Sequence, residues 1–231
     1  MQTAKKKKGG FLANLAFNIF IPVFILSKFS GADDLGPVNA LIVALAFPFL
    51  YGLWSFKEEG KVNFISVLGV LSVLMTGGIG LLQLDPAYVA IKEAAVPGII
   101  FIVIVVSNQT RFPLVRKLLL NEEFVNLPKL HDALTRHNAL ARFEEKVKVG
   151  SHVVAASFLL SSFLNYVLAK WIVVSPAGTE AFNEEIAKMT ALSFPVIALP
   201  CTIVMMGAIF YIFRQISLLT GEKIENFLIS Q

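Results

Sequence analysis

The chain has 231 residues, 56% of them hydrophobic and only 16% charged, with a formal net charge of +4. A soluble domain carries about 25% charged residues, and here the charges collect between long apolar runs, so the composition argues for a polytopic membrane protein over a soluble domain. Basic residues at the ends of apolar runs are explained by lipid and topology rather than by nucleic acid, and the single cysteine, Cys201, allows no intrachain disulfide.

Lys5, Lys6, Lys7 and Lys8 precede the first apolar run, 11–29. Ser30-Gly31-Ala32 has the small-x-small form of a signal-peptidase site, but the run exceeds the usual signal-peptide core of about 7–15 residues. Lys28 also lies close to the cut. A retained first transmembrane helix is the better reading. The second run is 36–56, closed by the polar turn Lys57-Glu58-Glu59-Gly60-Lys61. The third, 64–84, carries no charge. Asp85-Pro86 turns the chain into the fourth, 87–107.

Residues 108–149 form a polar, charge-mixed amphipathic segment on the cytoplasmic side. Pro113 and Pro128 divide it into two candidate helices, Leu114 to Val125 and Lys129 to Val149. The second runs towards the fifth span, 151–174. A hydrophilic connection follows, Ser175 to Lys188, and then the sixth span, 191–213. Gly221 ends that helix or its extension, and Glu222 to Ile229 is a short tail with Ile224, Phe227 and Leu228 on one side.

Positive charge fixes the orientation. With the amino terminus in the cytoplasm, 16 of the 20 basic residues fall inside, leaving Lys28, Lys92, Lys170 and Lys188. Tyr51, Trp54 and Tyr211 then fall at inner span ends, and Tyr88, Tyr166 and Trp171 at outer ones, the headgroup level these side chains prefer. The expected fold is an all-α polytopic membrane helix bundle. It has six transmembrane helices in a single integral membrane domain over 1–231, with amino and carboxyl termini cytoplasmic. The expected compartment is the bacterial inner membrane.

Candidate chemistry centres on Lys92 and Glu93, charged residues inside the fourth span and therefore a functional-site hypothesis. Asp85 suits the N-cap of that helix and Pro86 its first residue. Lys92 can snorkel outward. Neighbours on a helix point about 100° apart, so Lys92 and Glu93 need not pair, and Glu93 needs a partner from another helix or a proton. Pro97 frees the Glu93 carbonyl. Pro22 does the same for Asn18, which shares a face with Asn14. Pro48, Pro195 and Pro200 free the carbonyls of Ala44, Ala191 and Val196. Such interrupted helices line binding sites in transporters, although proline is also simply common in membrane helices. Structural readings compete throughout: an interfacial ion pair for Lys92 and Glu93, and interhelical glue for the asparagines.

Ser72, Thr76 and Gly80 recur at four-residue spacing, beside Gly77 and Gly78. Small residues so spaced let helices approach closely. The fourth span is the expected partner, with a homodimer as the alternative. His131, His137 and His152 lack metal-site spacing. No nucleophile, phosphate-loop, zinc or dinucleotide motif is present, so neither enzyme activity nor a cofactor is expected.

The stretch KVNFISVLGVLSVLMTGGIGLLQLDPAYVAIKEAAVPG, Lys61 to Gly98, resembles the core of the bacterial intracellular septation protein A family. Lys61, Gly77, Gly78, Asp85 and Lys92 carry the resemblance: a basic cytoplasmic turn, a Gly-Gly span, a short Asp-containing outer turn, and a lysine early in the next span. Over more of its length, including EEIAKMTALSFPVIALP, the chain is similar to a family of bacterial six-span inner-membrane proteins, some of which carry transporter labels. The long amphipathic segment, the Glu-rich outer loop and Glu93 depart from the septation pattern. The resemblance implies a non-enzymatic role in cell-envelope or membrane homeostasis, exercised through the lipid bilayer and inner-membrane protein partners. The alternative is a small secondary transporter using Lys92 and Glu93 with Asn18, its substrate a small molecule or ion.

Overall fold

The computed structural model describes residues 15–59, 64–110, 113–121 and 125–229. Among these residues the regular structure is helical, apart from one antiparallel bridge between Val125 and Leu228. A π-helical turn, Ala16–Phe20, enters α1, Ile21–Lys28. Then come α2 (Gly36–Glu59), α3 (Phe64–Leu81), α4 (Ala87–Ser107), α5 (Leu114–Leu119), α6 (Leu127–Arg136), α7 (Leu140–Ile172) and α8 (Glu180–Ser193). A second π-turn, Phe194–Ala198, leads into α9, Leu199–Thr220, and a 3-10 turn, Ile224–Phe227, follows.

Among the described residues four helical stretches are long and apolar enough to cross a membrane: Gly36–Trp54, Ala87–Ser107, Leu140–Ile172 and Glu180–Thr220. Ala16–Lys28 is a shorter apolar helix. Only 17–22% of each long apolar window is buried. Leu50, Ile102, Phe163, Ile203 and Phe210 are exposed on them. In water such surfaces would be a large aggregating patch; in hydrocarbon they need no cover.

The chain divides into two compact units, Met1–Val96 with Leu164–Val196, and Pro97–Phe163 with Ile197–Gln231. In the first, α2 packs against both α1 and α3, and α1 packs along α8. Pro37, with its fixed φ, starts α2. Ala40, Leu41 and Ala44 on α2 are buried, as are Leu26, Ile79 and Phe182. Gly80 makes the close approach possible, because a Cβ there would collide with Leu41 Cδ2.

The Ser175–Lys188 connection expected as a loop is mostly helix. Only the turn up to Thr179 is irregular, and Thr179 Oγ1 caps α8 by accepting from the Phe182 N–H at 3.2 Å. Its three glutamates gave the stretch a loop-like composition, but Phe182, Ile186 and Met189 recur at helical spacing and are buried. The sixth apolar helix therefore belongs to a helical run of 41 residues, Glu180–Thr220, longer at both ends than 191–213.

The second unit holds a core of the kind found in water-soluble domains. Leu130, Ala133 and Leu134 of α6 meet Phe143 and Val147 of α7, Ile212 and Ile216 of α9, and Phe227. Asn126 caps α6, its side chain accepting from the Lys129 N–H at 3.0 Å. The expected helix from Lys129 to Val149 is broken at Asn138, which takes a left-handed conformation, φ 50°. Beyond the break, α7 continues without interruption into the fifth apolar run, as the sequence suggested. The expected helix Leu114 to Val125 shortens to α5, and Val125 pairs instead with Leu228. Gly221, φ 69°, ends α9 in the left-handed conformation that favours glycine. The amphipathic faces of α6 and the tail are thus occupied within the unit.

Candidate functional site

In the first unit Asp85 precedes α4, and its Oδ1 accepts the Ala87 N–H at 2.7 Å. That carboxylate is an N-cap and belongs to the helix start. The next turn and a half carries Lys92 inward, where its side chain is 4% exposed. Lys92 Nζ lies 2.6 Å from Glu93 Oε1. It also donates to Thr76 Oγ1 at 2.7 Å and to Ser72 Oγ at 3.1 Å. An ammonium group has three donors, and here each has an acceptor.

Helix geometry did not require adjacent Lys92 and Glu93 to pair, and here they do. The 100° between their Cα–Cβ directions is overcome by the long lysine stem, which curls back to its neighbour. Thr76 is oriented for its part. Its hydroxyl donates to the Ser72 carbonyl at 3.0 Å, leaving lone pairs for Lys92. Burying one charge alone would be costly, and a paired, fully hydrogen-bonded one is tolerable.

The small-residue stripe divides between two neighbours. Ser72 and Thr76 serve Lys92 on α4, the expected partner. Gly80 faces Leu41 and Phe182, and Gly77 faces Leu45, so the glycines admit α2 and α8 instead. A Cβ on Gly78 would meet nothing within 4 Å.

The prolines act in two ways. Pro48 and Pro97 lie inside regular α-helices. Pro22 follows the first π-turn, in which the Ile21 N–H reaches back five residues to the Ala16 carbonyl. Pro195 lies in the second π-turn, and Pro200 follows it. A missing amide N–H is here accommodated by a slip of the ladder from four-residue to five-residue spacing. Asn18 is half-buried in the first of these turns. Asn14 and Lys61 lie outside the described residues.

Three polar arrangements went unread in the sequence. Asn183 on α8 is fully buried and ties the loop before α2, donating through Nδ2 to the Pro37 carbonyl at 2.7 Å and to Ser30 Oγ at 3.0 Å. The Glu185 carboxylate accepts from the Val174 and Ser175 N–H groups and from the Ser175 hydroxyl, at 2.7–2.9 Å. In the second unit, buried Ser151 donates to Asn108 Oδ1 at 2.6 Å. The signal for Asn183 was its place in the helical period of Phe182 and Ile186. Asn108 and Ser151 were legible only as span-boundary residues. Among the described residues no group of three or more His, Cys, Asp or Glu side chains is arranged to hold a metal ion.

No protein-family model, curated protein or solved structure matches the chain.

Proposed function

We propose that the chain is a bacterial inner-membrane protein of six spans, with both termini cytoplasmic. It works by contact in cell-envelope or membrane homeostasis, in the manner of septation protein A. The observation that supports contact over transport is the saturated Lys92 ammonium. A transport site must release and rebind its ion. A lysine whose three donors are met by Glu93, Thr76 and Ser72 acts instead as a clamp that holds α3 and α4 as one unit.

The test is flux in proteoliposomes together with rescue in cells. Wild type and Glu93→Gln are expected to show the same background proton and solute flux. The apolar pair Lys92→Met with Glu93→Leu should rescue the envelope or division defect of a depleted strain as well as wild type does. Flux in wild type that Glu93→Gln abolishes would overturn the contact reading. Reporter fusions at Ala177 and after Ile229 test the topology, with outer and cytoplasmic signals expected respectively.

A transporter remains the second reading because of the π-turns beside Pro22 and Pro200. Such turns are frequent at functional sites, and broken helices carry ions in secondary transporters.

A further inference from the structure

The second unit contains a buried polar group with unmet bonding capacity. Asn108 is 9% exposed, and its Nδ2 has no hydrogen-bond partner. Its Oδ1 is held by the Ser151 hydroxyl, which orients the amide and leaves both N–H bonds of Nδ2 unpaired. An orphaned buried donor costs about 1–3 kcal/mol, so native structures seldom keep one without a use.

Asn108 and Ser151 line a cleft of about 260 Å³ together with Arg116, Glu144, Glu145 and Lys148. The wall thus offers two cations and two anions. Arg116 Nη2 is 2.7 Å from Glu144 Oε1; a guanidinium has five N–H bonds, so this pairing leaves donors for a ligand. Glu145 and Lys148 supply one further charge of each sign.

The position of these residues along the chain gives the depth of the cleft. Asn108 directly follows Ser107, the last residue of apolar α4. Ser151 opens the apolar part of α7, just past Lys146 and Lys148. Both helices change from apolar to charged here, which is where headgroups lie. The volume falls below the roughly 300–1,000 Å³ of ordinary small-molecule sites, a size for a headgroup whose acyl chains stay outside.

The geometry points to a site for the phosphoethanolamine headgroup of a membrane phospholipid. Asn108 Nδ2 is closed to solvent in this structure, so a phosphate oxygen accepts from it as the cleft wall yields, with Arg116 and Lys148 neutralising the charge, and the ligand ammonium faces Glu145. The inference rests on the membrane reading proposed above.

The full chain, purified in detergent and stripped of lipid, is titrated with phosphatidylethanolamine, phosphatidylglycerol and soluble phosphoethanolamine, and bound lipid is counted by native mass spectrometry. Wild type should retain phosphatidylethanolamine about tenfold better than phosphatidylglycerol, the weight of one charge-assisted hydrogen bond. Asn108→Asp should lose about tenfold in retention of phosphatidylethanolamine. Glu145→Gln, an exposed position that leaves folding intact, should erase the preference between the two lipids. Unchanged preference in both variants would overturn the site. Displacement of the lipid by soluble phosphoethanolamine at equal concentration would overturn the lipid as occupant. A lipid-free protein that stays monodisperse in water without detergent would instead overturn the membrane reading itself.

Discussion

Lys92 and Asn108 are both buried polar residues at the edge of an apolar helix, and they are solved in opposite ways. Lys92 carries a full charge and has every donor matched from within its own unit. Asn108 carries no charge and is left with an unmatched donor. The more expensive group is the one the fold has fully compensated. Saturation marks Lys92 as structure. The shortage at Asn108 is singled out because that residue lines a cleft with charged neighbours, whereas the equally unmatched Asn183 Oδ1 belongs to a side chain that ties Ser30 and Pro37 together.

The sharpest way to break this comparison is to remove one side of the Lys92 pair. Glu93→Ala leaves a buried ammonium without its counter-charge and should cost about 3–5 kcal/mol, measured by denaturant unfolding in bicelles. The double change Lys92→Met with Glu93→Leu should return stability close to wild type, because replacing both partners removes the need as well as the match. A tolerant Glu93→Ala protein would mean that Lys92 reaches water by another route. Thr76→Val is smaller. It deletes one hydrogen bond to a charged group, worth about 1.5–3 kcal/mol, and the same unfolding assay should resolve it from Glu93→Ala.

Asn108→Leu should behave differently. It removes an amide whose Nδ2 lacks a partner, and the Ser151 hydroxyl, losing the Asn108 Oδ1, can turn to a carbonyl of its own helix. Lipid-free stability should change by no more than about 0.5 kcal/mol. A large loss there would make Asn108 structural and erase its contrast with Lys92. Arg136→Ala belongs to the same small class. Its 3.4 Å pair with Glu222 is exposed, so the change should fall within about 0–1 kcal/mol.

The four long apolar helices were legible because length and hydropathy alone select helices of this kind. The Lys92 position was legible for the same reason, since a charge stands out in an uncharged background. Its partner was not: direction at the Cβ says little about where a four-carbon stem can end. The α8 helix was hidden because its three glutamates and the Pro176-Ala177-Gly178 turn before it give the stretch a polar composition, and a loop and a one-sided helix then look alike. Asn183 could not have been paired from sequence, as Ser30 and Pro37 are about 150 residues away. The prolines announced the freed carbonyls, but the slip to a π-turn at only two of the four interrupted helices depends on packing that local sequence does not encode. Asn138 could have been suspected, since asparagine tolerates the left-handed conformation better than most residues.

Gly80 and Leu41 leave a trace that evolution could record. One position has no side chain because the other fills its space. An alanine at position 80 needs a smaller residue at position 41, and neither change is comfortable alone, since added core volume costs about 1–3 kcal/mol. In related sequences these two positions, 39 apart in the chain, should trade volume. Covariation between them would show that the close packing of α2 on α3 is kept while its side chains change.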